Sequence, residues 1–140
     1  MLVKTLPARM ESLRELLAFI SEYAEKAGLA KEDLNRVQLV AEEALVNVFN
    51  YAYRPPQVGQ VEVRMTGKAG PVLEVEIRDL GTPFDPLSMG EPDLEVDIPE
   101  RKIGGMGVFL IRKMADGVRY RTEAGANVLK LTFLNRQQAG

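Results

Sequence analysis

Val72-Leu73-Glu74-Val75-Glu76-Ile77 alternates apolar and acidic residues and then runs into Asp79-Leu80-Gly81-Thr82-Pro83-Phe84-Asp85-Pro86. Alternation puts Leu73, Val75 and Ile77 on one face of a strand and Glu74 and Glu76 on the other, which predicts a half-buried strand. Just upstream, Val61-Glu62-Val63-Arg64-Met65 carries the same pattern, and Gly67-Lys68-Ala69-Gly70-Pro71 between them is rich in turn formers. The two runs read as a hairpin with one buried face. Such a face needs a cover, and the flanking segments supply it.

From Met10 to Lys26 the apolar residues Leu13, Leu16, Leu17, Ile20 and Ala24 recur at helical spacing, with Gly28 where a helix would stop. Lys31 to about Tyr53 carries Leu34, Val37, Ala41, Ala44, Leu45, Val48 and Ala52 on one stripe, and Pro55-Pro56 forbids continuation. Leu2 to Leu6 reads as an edge strand ending at Pro7. Met106 to Ala115 resumes helical spacing, and Val118–Thr122 with Val128–Leu134 form a closing hairpin. The order is strand, two helices, two strands, helix, two strands. The economical packing is an α+β two-layer sandwich, a mostly antiparallel mixed sheet with helices on one face.

Between the second hairpin strand and the third helix, residues 82 to 105 hold four of the eight prolines and no sustained periodicity. A long irregular stretch inside a small domain is usually functional, so a lid is expected at about 82–107; an insertion without function is the alternative.

The bulk composition narrows the chemistry. The 140 residues are 46% hydrophobic, enough for one domain with its own core. Eighteen basic and 20 acidic residues give a net charge of −2, with no polycationic patch for nucleic acid or an anionic membrane. No apolar run reaches a membrane span of roughly 20 residues, and the N-terminus lacks a secretion-signal pattern, so a cytoplasmic protein is expected. The sequence contains no cysteine and no histidine. That excludes disulfides, thiolate nucleophiles, Cys/His zinc sites, a Ser-His-Asp triad and a phosphohistidine within the chain. A general base must be a carboxylate, a lysine or a tyrosine.

Three segments carry chemistry. Glu43 and Asn47 stand four apart on the second helix, about 6 Å from each other on one face. A carboxylate there can deprotonate a hydroxyl while the amide oxygen ligates Mg²⁺; a solvated helix face carries the same pair. Asp79 ends an apolar strand, where it can accept a hydrogen bond from an exocyclic amine while Gly81 admits a flat ring, which suits adenine; ordinary turns use the same Asp-x-Gly. Gly104, Gly105 and Gly107 precede or open the third helix, where backbone N–H groups can face phosphate; a plain hinge also uses glycine. The run matches neither the P-loop nor the dinucleotide fingerprint. Arg101, Lys102 and Arg112 lie near enough in sequence to add positive charge.

Taken together, the segments resemble the N, G1 and G2 boxes of the Bergerat-fold ATPases, the superfamily of gyrase, Hsp90, histidine kinases and MutL. Val40 through Tyr53, the Asp79-to-Pro86 stretch and Gly104-Gly105-Met106-Gly107-Val108-Phe109-Leu110-Ile111 are most similar to bacterial anti-sigma-factor serine kinases. The resemblance spans nearly the whole chain. It implies that Glu43 is the base activating an acceptor serine, Asn47 holds Mg²⁺, Asp79 recognises the adenine amine, and Gly81 lies beneath the base. Gly104, Gly105 and Gly107 become the glycines of the lid end, and Thr132 a hydroxyl supporting the adenine pocket. Asn50 stands where relatives often carry histidine, and Pro83 where the wider superfamily has glycine, as is usual in the kinase branch.

The expected protein is therefore an ATP-dependent protein-serine kinase in a partner-switching circuit. Its implied partners are an anti-anti-sigma-like protein carrying the acceptor serine and a sigma factor or other sequestered target, and the resemblance implies a homodimer. The rivals are a nucleotide-gated binding module without phosphotransfer and the detached ATPase domain of a histidine kinase.

Overall fold

The computed structural model describes residues 1–67, 72–83 and 105–135. Strand β1 (Leu2–Pro7) leads through a 3-10 turn at Met10–Ser12 into α1 (Leu13–Lys26) and α2 (Lys31–Tyr51). Then come β2 (Gln60–Thr66), β3 (Val72–Asp79), α3 (Gly105–Met114), β4 (Gly117–Glu123) and β5 (Ala126–Leu134). The strands lie in the order β1-β2-β3-β5-β4. Every pairing among the described strands is antiparallel, so the expected mixed character is not seen there. Most of the expected lid, residues 84–104 with Gly104, lies outside the described residues.

The alternation in the hairpin is realised residue by residue. Leu73, Val75 and Ile77 of β3 are fully buried or nearly so, as are Val61, Val63 and Met65 of β2. β5 adds Leu131 and Phe133 to the same side, and Leu16, Ile20, Leu45 and Ile111 bring the three helices onto it. Burying a side chain of this size stabilises the fold by about 1.5–3 kcal/mol, so the sheet face and helix stripes hold each other in place. α1 stops where Gly28 takes a φ of 91°. Gly28 N–H donates to Glu25 and Leu29 N–H to Ala24, satisfying carbonyls the helix end would leave open.

The other face of the sheet is lined with opposite charges, including Arg121 with Glu76 at 3.3 Å and Lys130 with Glu74 at 2.9 Å. Exposed pairs contribute little stability each, but they let this face meet water without a helical cover. Among the described residues no helix is long and apolar enough to cross a membrane.

Arg36 of α2 joins the far end of the molecule. Its guanidinium donates to the Asp116 carboxylate at 2.7 Å, to the Met114 carbonyl at 2.9 Å and to Asp33 at 3.1 Å. The same group lies 5.5 Å from the centre of the Phe133 ring. Asp116 also accepts from the Leu134 N–H at 2.8 Å, so one side chain ties α2 to the end of α3 and to β5. Its side chain is 13% exposed, which makes these charge-assisted bonds worth more than surface pairs. Replacing Arg36 with alanine should lower unfolding stability by about 2–4 kcal/mol in urea titration, because two carboxylates lose a partly buried cation.

Candidate functional site

α2 ends two residues earlier than its apolar stripe suggests. Tyr53 has left the helix, and its hydroxyl donates to the Gln60 carbonyl at 2.7 Å and accepts from the Leu80 N–H at 2.9 Å. Burial pushes the Tyr53 hydroxyl above its ordinary pKa and the Asp79 charge adds to that, while the Leu80 N–H donated to its oxygen opposes it. The phenol thus bridges the start of β2 and the residue after β3.

One residue further on, backbone meets backbone. The Thr82 N–H donates to the Ala52 carbonyl at 2.7 Å. A Cβ on Gly81 would lie 2.0 Å from that same carbonyl oxygen, so only glycine fits at this contact. The end of α2 is thereby pressed against the turn that follows Asp79.

Asp79 is buried and faces the helices, on the same side of β3 as Ile77. Its Oδ1 accepts from the Gly81 N–H at 2.9 Å and from Asn127 Nδ2 at 2.9 Å. Asn127 Nδ2 also donates to the Gly81 carbonyl at 3.0 Å, and the Tyr120 hydroxyl donates to Asn127 Oδ1 at 3.1 Å. These groups edge a pocket on the helix side of the sheet. Ala44, Val48, Ala52, Ile77 and Leu129 form its apolar walls, while Asn47 and Asp79 bring polar groups into it. Apolar walls with few convergent polar atoms are what a flat heteroaromatic ligand needs.

Asn47 is 5% exposed, and its Nδ2 has no hydrogen-bond partner among the described residues. Glu43, one turn earlier on α2, is half-buried. Burial raises its pKa above the ordinary value of about 4.5, and the neighbouring Glu42 charge raises it further. A carboxylate in that condition takes up a proton more readily than a solvated one. Gly105 and Gly107 stand in the first turn of α3, which packs against α2.

Thr132 is not brought to this site. It pairs with Glu74 and Gly117, five residues along β5 from Asn127, and its odd-numbered neighbours Leu131 and Phe133 face the core while it faces the other way. Of β5, it is Asn127 rather than Thr132 that stands beside Asp79. Asn127, Tyr120 and Tyr53 were missed because asparagine beside Gly125 reads as a turn former and the tyrosines as strand or helix-end residues. The signal lay in the register, since the antiparallel pairing of β3 with β5 sets Asn127 directly across from Asp79.

Residues 6–133 match the family model described as "Histidine kinase-like ATPase domain". The chain is 29% identical over 136 residues to the serine-protein kinase RsbW of Bacillus licheniformis, covering 94% of this chain and 84% of that protein. It is 28% identical over 137 residues to the protein of the same name from Listeria monocytogenes serovar 1/2a, covering 95% and 87%. Among solved structures, the RsbU and RsbW domains of Rv1364c from Mycobacterium tuberculosis match with a TM-score of 0.63 at 16% identity, over 95% of this chain. The blue-light activated histidine kinase of Erythrobacter litoralis EL346 matches with a TM-score of 0.57 at 18% identity, over 79% of this chain. This chain spans 32% and 33% of those two solved chains, and at such identities the likeness concerns the fold alone.

Two outcomes follow from the site itself. Gly81→Ala should cost about 2–4 kcal/mol in chemical denaturation, because its Cβ and the Ala52 carbonyl cannot share the space. For Glu43, a raised folded-state pKa means that its contribution to stability is fully present below pH 4.5 and is lost as pH rises through the folded value. Glu43→Gln should therefore melt no lower than the parent at pH 7.5, and the difference between them should shrink as pH falls.

Proposed function

The chain belongs to the histidine kinase-like ATPase domain family, and from that premise we propose that it is a protein-serine kinase. It binds ATP in the pocket between α2, β3 and β5 and phosphorylates a serine on a partner protein. The observation that carries this reading is the pocket itself, where Asp79 and Asn47 meet apolar walls and Glu43 stands one turn away on the helix that bears Asn47. The relatives named serine-protein kinase, matched over 84% and 87% of their length, support it.

Asp79 accepts a hydrogen bond from the adenine amine, and Gly81 allows the turn after Asp79 to close against the end of α2 beside the ring. Gly105 and Gly107, in the first turn of α3, offer backbone N–H groups to phosphate, and Gly104 precedes them in sequence. The residues present fit a magnesium ion that arrives with the nucleotide. The buried Asn47 amide nitrogen has no hydrogen-bond partner among the described residues, and an amide oxygen is the kind of hard donor a magnesium ion takes. Among the described residues no three carboxylates, histidines or cysteines cluster as a metal site, so phosphate oxygens and water would complete the shell. When bound, the ion supplies neutralisation of the charge on the β- and γ-phosphates.

Glu43 takes the proton of the acceptor serine as its oxygen bonds to the γ-phosphorus, and the bond from that phosphorus to the β–γ bridging oxygen breaks to release ADP. Holding the serine in line is the task of the docked partner. That partner is an anti-anti-sigma-like protein, and the circuit includes a sigma factor or other target that the kinase sequesters. The kinase acts in the cytoplasm as a homodimer.

Incubation with Mg·ATP and an anti-anti-sigma-like protein should give acid-stable phosphoserine on that protein. Glu43→Gln should bind ATP within about threefold of the parent and transfer about 10²–10⁴-fold more slowly, the range of a lost general base. ATP binding without phosphoserine would instead identify a nucleotide-gated binding module. Acid-labile label on the partner would point to histidine chemistry.

A further inference from the structure

The charged face of the sheet holds a second cleft, of about 300 Å³, where β1 and β3 end and β2 begins. Register sets Thr5 across from Glu62 and Glu62 across from Arg78, in one row on that face. Arg64 follows two residues along β2, on the same side as Glu62. Both arginines turn to one Glu62 oxygen: Arg64 bonds to it through Nε, and Arg78 Nε stands 3.7 Å away. Arg78 Nη1 donates to Glu123 at 3.1 Å. A guanidinium has five N–H donors. Among the described residues, Nη1 and Nη2 of Arg64 and Nη2 of Arg78 have no partner. Glu76, directly across from Arg64, pairs with Arg121 instead. Unspent donors beside carboxylates that are already engaged fit an incoming carboxylate, which a guanidinium grips with two nitrogens at once.

Next to this cleft runs an open edge. β1 is an outer strand, and among the described residues no strand pairs with its outer side. Leu2 is 54% exposed on the helix side of that edge, and Val3 46% on the other. The opposite edge, β4, carries Arg119, Arg121 and Glu123, and charges of this kind discourage strand addition. β1 has only Lys4, which is tied to Glu15 of α1 at 3.3 Å. We infer that β1 takes an extended acidic segment of a protein partner as a sixth strand of the sheet. Apolar side chains of that segment cover Leu2 on the helix side. Its acidic side chains lie on the other side, where one reaches over the small Thr5 to the free nitrogens of Arg64 and Arg78. Backbone pairing supplies the affinity and the alternate side chains the specificity. The β1 strand of a second copy does not meet this requirement, because Leu2-Val3-Lys4-Thr5-Leu6-Pro7 contains no carboxylate.

The test measures, by fluorescence anisotropy, binding of the full chain to a labelled octapeptide of alternating valine and glutamate. The comparison peptides carry lysine in place of glutamate, or keep glutamate with every backbone nitrogen methylated. The glutamate peptide should bind about tenfold or more tightly than the lysine peptide, the range of a charge-assisted hydrogen bond. The methylated peptide keeps the charges but has no backbone donors, and should not bind. Arg64→Gln should weaken the glutamate peptide about tenfold while melting within a few degrees of the parent, and Arg64→Glu should reverse the preference towards lysine. Should Arg64→Glu not fold, Arg64→Gln decides alone. A parent that does not bind the glutamate peptide would overturn the inference, as would a preference that survives Arg64→Gln. Equal binding of the methylated peptide would overturn the added strand. Self-association of the parent that the peptide competes away would assign the edge to a second copy and overturn the inference as well. The assay contains no nucleotide, so its failure leaves the proposed kinase reading untouched.

Discussion

The contact between Gly81 and the Ala52 carbonyl is the constraint on which the site depends. Two backbone segments, the end of α2 and the turn after β3, approach so closely that no side chain fits between them, and the Thr82 N–H closes the gap at 2.7 Å. α2 carries Glu43 and Asn47; β3 ends in Asp79. Fixing these two ends therefore fixes the distances among all three candidate side chains without any of them having to hold the others. Tyr53 reinforces the junction from the outside by bonding to Leu80 and Gln60.

The rest of the fold makes that junction possible. A sheet with one apolar face accepts α1, α2 and α3 on that face only, so the end of α2 necessarily lies over the sheet, next to where β3 runs out. Asp79 ends up on the helix side because alternation is strict from Leu73 onward, and one residue more or less in β3 would send it to the charged face. At the other end of α2, Arg36 holds the helix to α3 and β5. The helix is thus pinned at both ends, and the pocket lies between the pins.

Much of this was legible in the sequence. The alternation of β2 and β3, the stripes of α1 and α2, and the closing hairpin all depend on local periodicity, which a single chain displays directly. Glu43, Asn47, Asp79 and Gly81 are candidates for a different reason, a spacing that resembles a family pattern, and Asn47, Asp79 and the Gly81 turn are brought together by the fold. Thr132 was not, because position on a strand says nothing about its partner until the register is known. Five residues of displacement and one step of alternation put it on the wrong end and the wrong face. The same register supplied Asn127, whose role is visible only when two strands distant in sequence are laid side by side. Tyr53 escaped for a related reason, since its hydroxyl bonds to strand ends that the helical stripe does not mention.

The most direct measurement is thermal unfolding with and without Mg·ATP, for the parent chain and for Asp79→Asn. A ligand that binds only the folded state raises stability by RT ln(1 + [L]/Kd), about 2.7 kcal/mol at one hundred times Kd. The account predicts a saturable rise in the melting temperature of the parent and its loss in Asp79→Asn, with both proteins folded cooperatively without nucleotide. A folded parent that gains no stability from Mg·ATP, or a variant that gains as much as the parent, would contradict it.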